Sequence, residues 1–186
     1  IKENPVFLIS LEPVKIEDDA PEIVKQMVFA AAKVGVGPMA SIAGAIAEFV
    51  GKDLLKYSPD IIVENGGDIF IKTSKKRFIG VYAGKSIFTD KIALEISGSK
   101  TSLGVCTSSG TVGHSLSFGK SDAVVIISDS TFLADAAATA IGNLIKTEED
   151  ISKGIEFAKN VCDIRGVLII KNNKFGIWGD IKISAV

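Results

Sequence analysis

Histidine is almost missing: His114 is the single imidazole among 186 residues. One chain therefore cannot assemble a histidine metal cluster, and any Ser-His-Asp triad would have to be built on that one side chain. Cysteine is nearly as scarce. Cys106 and Cys162 lie far apart, in neither a CxxC nor any other zinc-type spacing, which argues against a disulfide framework and fits a reducing, cytoplasmic setting. Guanidinium groups number two, Arg77 and Arg165, and the 21 basic residues nearly cancel the 22 acidic ones to leave a net charge of -1. With no basic stripe to track a phosphodiester backbone, nucleic acid is not the expected partner, whereas a small phosphate-bearing ligand is compatible. No apolar run reaches the ~20 residues that cross a bilayer, so no membrane partner is expected. The hydrophobic share is nonetheless 47% and the mean hydropathy +0.35. A homo-oligomer interface is the expected sink for that surplus.

Low-complexity tracts, charge blocks, proline-rich linkers and short repeats are absent too, so residues 1–186 read as a single domain. The chain opens on Ile1 rather than Met, and it is read as a fragment whose N-terminal segment is missing.

Hydrophobic spacing gives the elements. Val6 to Ser10 reads as a short strand. Asp19-Ala20-Pro21-Glu22 opens a helix that runs to about Lys33, with Ile23, Met27, Ala30 and Val34 toward the core and Gly35 as its stop. A second, mostly buried helix follows over Met39 to Val50, its large side chains Ile42, Ile46 and Phe49 on one face. From Ile61 to Tyr82 the pattern is a hairpin region, turning at Ser74-Lys75-Lys76. More strands are expected at Ile92 to Ile96, Gly104 to Thr107, Leu116 to Phe118 and Ala123 to Ser128. Helices over Thr131 to Ile145 and Glu148 to Val161 precede a last hairpin, Val167 to Lys171 with Phe175 to Ile183. Strands and helices come in blocks, which predicts α+β: a largely antiparallel sheet with packed helices.

Between Asp129 and Lys146 the only charge is Asp135. On a 3.6-residue helix Thr131, Asp135, Thr139 and Asn143 form one polar stripe on an apolar rod. A desolvated carboxylate must gain a cation, hydrogen-bond donors or a proton. An Asp carboxylate and a Thr hydroxyl one turn apart suit Mg²⁺, which shares its shell with waters and substrate phosphates; a cap or an internal pairing would satisfy the same group.

Two loops also carry candidate chemistry. Cys106-Thr107-Ser108-Ser109-Gly110 follows a strand with small residues whose backbone N–H groups can approach an anion, although surface turns have the same composition. Asn65-Gly66-Gly67-Asp68 permits positive φ beside a ligand or in a plain β connection. Other lookalikes fail on spacing. Gly84-Lys85-Ser86 and Gly119-Lys120-Ser121 lack the earlier glycine of a P-loop, and Gly35-Val36-Gly37-Pro38-Met39-Ala40 follows a helix rather than the strand a dinucleotide fingerprint requires.

Three segments, Ser41 to Glu48, Asn65 to Asp68 and Ala134 to Ala140, resemble the ApbE-like flavin transferase superfamily in residues and in order. Gly35 to Ala40 with the Cys106 to Ser115 loop is most similar to its cytosolic branch of archaeal and bacterial proteins. The resemblance implies a T-fold-like α+β architecture, Mg²⁺ and FAD or FMN as cofactors, and phosphoryl transfer that moves FMN to a Thr or Ser of a target. It implies metal roles for Asp135, Thr139 and the Ala43 carbonyl. Asn65, Gly66, Gly67 and Asp68 would line the flavin-nucleotide cleft, with Thr107, Ser108, Ser109 and Gly110 as the Thr-Ser-Gly loop. Two departures stand out. His114 to Gly119 lacks the transferases' Asp-Pro and Thr-Gly, and Gly44 stands where they place a Lys.

Two other classes stay open at this point. Cys106, tuned by His114, would serve sulfur or acyl transfer; the apolar, small-residue helix would serve a non-catalytic oligomeric binding protein.

Overall fold

The computed structural model describes residues 5–99, 101–113 and 116–186; His114 and Ser115 lie outside the described residues. A short helix α1 (Pro5–Ile9) comes first, then α2 (Glu22–Val34), a 3-10 turn (Pro38–Ser41) and α3 (Ile42–Leu54). Strands β1 (Ile61–Asn65), β2 (Asp68–Lys72), β3 (Arg77–Gly80), β4 (Ile92–Ile96), β5 (Leu103–Ser108) and β6 (Ala123–Ser128) follow. Then come α4 (Thr131–Leu144), α5 (Ile151–Lys159) and the strands β7 (Ile164–Lys171), β8 (Lys174–Gly179) and β9 (Ile183–Ala185).

Six strands form one sheet in the order β1-β2-β5-β6-β7-β8, and β3-β4-β9 form a second. Every neighbouring pair is antiparallel. The α+β expectation therefore holds. Side chains alternate across a strand, so the large sheet has two buried faces: Cys106, Val124 and Ile126 pack under the helices, while Ile71, Val105 and Val125 pack against the small sheet. α4 runs along the helix-side face fully embedded, with Ala134, Ala136, Ala137 and Ala138 all buried. Its alanines let it approach both the sheet and α3, because a methyl is the only volume to be accommodated.

Several expectations need correction. Val6 to Ser10 is helical rather than a strand; four successive apolar residues carry no period of their own, and the helix leaves Val6 and Ile9 exposed. The turn at Ser74 to Lys76 does not close a hairpin. The β1–β2 hairpin closes earlier, at Gly66-Gly67, and the chain after β2 crosses to the small sheet, where β3 pairs β4. Leu116 to Phe118 forms no strand: the Phe118 N–H donates to Asn143 Oδ1 at 2.8 Å instead of to a ladder. The stretch Phe175 to Ile183 is two strands in different sheets. In α3 the buried face is the one with the small residues, Gly44, Ala45, Ala47 and Gly51, plus Glu48, while Ile46 is 42% exposed. Close helix packing, rather than side-chain size, decides which way α3 turns.

No single described helix is long and apolar enough to cross a membrane. Gly35 to Ala40 joins α2 to the 3-10 turn, so no strand precedes it and the dinucleotide motif is correctly refused.

Candidate functional site

A cleft of about 1040 Å³ opens where the β1–β2 turn and the end of β5 meet the flank of α4, and it extends sideways between the edge of the large sheet and β3. That is ample for a nucleotide-sized ligand. Of the polar stripe on α4, Asp135, Thr139 and Asn143 line it. Thr131 does not: it is fully buried, and its Oγ1 has no hydrogen-bond partner among the described residues. Ala43, Gly66, Gly67, Asp68, Thr107, Ser108 and Ser109 line the cleft as well. Asn65 and Gly110 stand behind the wall. Asn65 donates its side-chain amide to the Ala43 carbonyl at 3.2 Å, and the Gly110 N–H is spent on the Ser121 carbonyl at 2.9 Å.

α3 and α4 cap one another. The Gly44 N–H, in the first turn of α3, donates to Asp135 Oδ2 at 2.9 Å. In return the Thr131 N–H, the first of α4, donates to Glu48 Oε2 at 2.6 Å, and Lys52 holds the other Glu48 oxygen at 2.6 Å. Helix starts carry free N–H groups and partial positive charge, so each carboxylate meets donors that its own helix does not supply. Gly44 makes the approach possible. A Cβ there would stand 2.4 Å from the Thr131 carbonyl oxygen and 2.8 Å from the Asp135 Cβ.

Asp135 is thus partly a cap, yet part of its surface remains open to the cleft. Burial and the Asp68 charge push its carboxyl well above the usual range, outweighing the amides of Gly44 and Ala43 that pull it down. Asp68 is desolvated too. Burial raises its carboxyl from 3.8 to about 7 against the opposing pull of the Cys106 thiol and the Thr107 N–H. Its Oδ1 is buried without a partner among the described residues. Two acidic groups therefore share one low-dielectric corner with no ion-paired base beside them among the described residues, the arrangement in which like charges push titrations upward.

The sign for stability follows from the raised value. Between pH 4 and 7 the native Asp68 keeps a proton that the unfolded chain has released, so stability falls as pH rises through that window. In denaturant titrations Asp68→Asn should match the wild type below pH 4, gain on it steadily, and hold a constant advantage above pH 7. An advantage independent of pH would show that the carboxyl is not desolvated.

A scan against family models matches residues 1–162 to the model described as AbpE bacteria. The chain belongs to the AbpE bacteria family. It is 47% identical over 186 residues to a UPF0280 protein of Methanocaldococcus jannaschii and 45% identical to one of Methanococcus aeolicus, in both cases spanning 97% of this chain and 75% of the relative. Among solved structures, the apo form of the flavinyl transferase ApbE of Pseudomonas stutzeri superposes with a TM-score of 0.52 at 19% identity, over 78% of this chain and 49% of that one. The flavin transferase ApbE from Vibrio cholerae gives 0.51 at 15% identity, over 90% and 63%. The fold is that of the ApbE-like superfamily, and this chain spans about half the length of the first transferase.

Within that superfamily the Gly44 departure now has a physical reason, since no side chain fits between α3 and α4 at this point. Cys106 is a different matter. It is fully buried, its Sγ contacts the Thr131 carbonyl at 3.5 Å, and burial together with the Asp68 and Asp135 charges pushes its thiol well above the ordinary range. Nucleophilic sulfur needs accessible thiolate, so the structure turns the Cys106 reading toward packed core. A thiol titration of native protein should find Cys162, which is exposed, reacting at once and Cys106 only on unfolding; fast native labelling of Cys106 would restore it as a nucleophile.

Glu48 was passed over by sequence reasoning as a site-building residue. An acidic residue inside an otherwise apolar, small-residue helix was the available signal, the same one that singles out Asp135.

Proposed function

We propose that the cleft binds a flavin nucleotide or another phosphate-bearing ligand together with Mg²⁺, and that the protein acts as a Mg²⁺-dependent transferase of the flavin transferase kind. The observation that carries this reading is the Asp68–Asp135 corner: two desolvated acids lining the cleft that, among the described residues, have no side-chain cation paired to either and leave one oxygen orphaned. A divalent ion would lower the cost of ionising both. Asp135 would hold it with the Thr139 hydroxyl one turn on and the Ala43 carbonyl, which has one lone pair engaged by Asn65. The described residues contain no cluster of three or more His, Cys, Asp or Glu side chains for a metal; this suits Mg²⁺, which takes one or two carboxylates and completes its shell with waters and substrate phosphates. When bound, the ion supplies charge neutralisation on phosphate oxygens.

The chain's own groups would do the rest. Thr107 and Ser108 would present hydroxyls at one rim, where the Ser109 hydroxyl is spent within its own loop on the Ser121 carbonyl and the Thr111 and Val112 N–H groups, and the glycine turn Gly66-Gly67 leaves room at the other. Gly66 and Gly67 have φ of 64° and 101°, values that set the two-residue hairpin turn. A Cβ at either would meet nothing within 4 Å, so the lip of the cleft is open there.

Isothermal titration of FAD, FMN and ADP in the presence and absence of Mg²⁺ tests the reading. The wild type is expected to bind at least one in a Mg²⁺-dependent manner, and Asp135→Asn to lose at least 100-fold in affinity, the ~3 kcal/mol scale of a charged contact. Equal binding by both proteins would remove the metal role from Asp135.

A further inference from the structure

Arg77 opens β3, with Ile79 two residues on. Alternate residues of a strand share a face, and Ile79 packs between the sheets alongside Leu94 and Ile96, the register partners of Ile79 and Arg77 respectively. The Arg77 side chain thus departs from the inward face of the small sheet. It is half-buried and lines the sideways extension of the cleft. Three other cations are ion-paired. Lys76 meets Glu95 at 3.0 Å and Lys182 meets it at 4.0 Å, and the chain's second guanidinium, Arg165, holds Asp129 at 3.1 Å. Arg77 has neither a carboxylate nor a hydrogen-bond partner among the described residues.

A guanidinium on the inner face of a sheet is costly to leave without an anion, and its planar fork matches carboxylate and phosphate oxygens two at a time. The ionisable side chains that share the cleft, Glu64, Asp68 and Asp135, are all acids. Arg77 is therefore the single basic group lining the cleft among the described residues, and it sits on a different wall from the acid corner.

We propose that Arg77 is the anion-binding residue of this cleft, taking a carboxylate or phosphate group of the ligand at the end between the sheets. The proposal rests on the reading of the cleft as a ligand site, but on neither Mg²⁺ nor a flavin. It makes the site bipolar, with a cation at one end and an anion at the other, and so selects an extended ligand over a compact one.

Thermal unfolding in low salt, without metal, is measured with inorganic pyrophosphate and, separately, with succinate. At least one is expected to raise the midpoint of the wild type by several degrees, and which one does so tells phosphate from carboxylate recognition. Arg77→Met keeps the apolar stem and should abolish the shift, whereas Arg77→Lys should keep part of it. Asp135→Asn should retain it in full. A wild type that neither anion moves, an Arg77→Met protein shifted as far as the wild type, or a shift that needs Asp135 rather than Arg77 overturns the assignment. The Mg²⁺-dependent titrations are read independently: their failure with the anion shift intact removes the proposed function and leaves Arg77 in place.

Discussion

Asp135→Asn is expected to make the metal-free protein more stable and, on the proposed reading of the cleft, to abolish Mg²⁺-dependent ligand binding. The carboxyl is raised well above the usual range by burial and by Asp68, so at pH 8 the folded state bears a cost, of keeping a proton or of burying a charge, that the unfolded chain escapes in water. Asparagine preserves an acceptor for the Gly44 N–H and offers a donor where the neighbouring carboxylate has an unfilled oxygen. Against this stands the loss of an anion at the start of α3, worth ~0.3–1 kcal/mol. Relief of desolvation, on the order of 3 kcal/mol, wins. For a chain of this length that corresponds to a rise of about 5–10 °C in the melting midpoint. The gain should shrink toward nothing below about pH 3, where the wild-type residue is protonated in both states. A variant that melts lower than the wild type at pH 8 would mean that the carboxylate serves the fold rather than a ligand.

Gly44→Ala should act in the opposite direction. The new methyl would lie 2.4 Å from the Thr131 carbonyl and 2.8 Å from the Asp135 Cβ, and neither neighbour is the free end of a flexible chain. Replacing a helical glycine ordinarily gains about 1 kcal/mol. Overpacking at a fixed backbone atom costs up to ~3 kcal/mol, so the net is a loss of about 2 kcal/mol and roughly 4–8 °C. Lysine, the residue the transferases place here, should be worse. Because α3 and α4 are pushed apart where Asp135 caps α3, ligand binding should fall along with stability. A Gly44→Ala protein that melts at or above the wild-type temperature would show that the helices can separate at no cost.

Much of the fold was legible, and the misses share a cause. α2, α4 and α5 announce themselves by helical spacing and by their breakers, and short apolar runs mark β4, β5 and β6. Asp135 stood out as a lone charge among alanines, and both readings open to it, a cleft group and a cap, are met in the structure. What failed was whatever depends on a partner distant in sequence. Val6 to Ile9 carries no period that separates helix from strand. The chain after Lys72 turns away from its neighbour because a second sheet awaits β3. Ile46 faces outward because Gly44 and Gly51 can lie closer to α4 and β2 than any isoleucine could. Arg77 looked like one of two scattered arginines, and only the pairing of β3 with β4 places it on an inward face.

The mutual capping of α3 and α4 works as a latch. Neither helix can slide or roll past the other without breaking both caps at the same moment, so the acid corner is the fixed jaw of the cleft. Arg77 belongs to the opposite jaw, carried by the small sheet rather than by the latched helices. On the proposed readings the charge that would take an anion and the charge that would hold a metal sit on different jaws, so a ligand spanning the cleft would tie the small sheet to the latched helices.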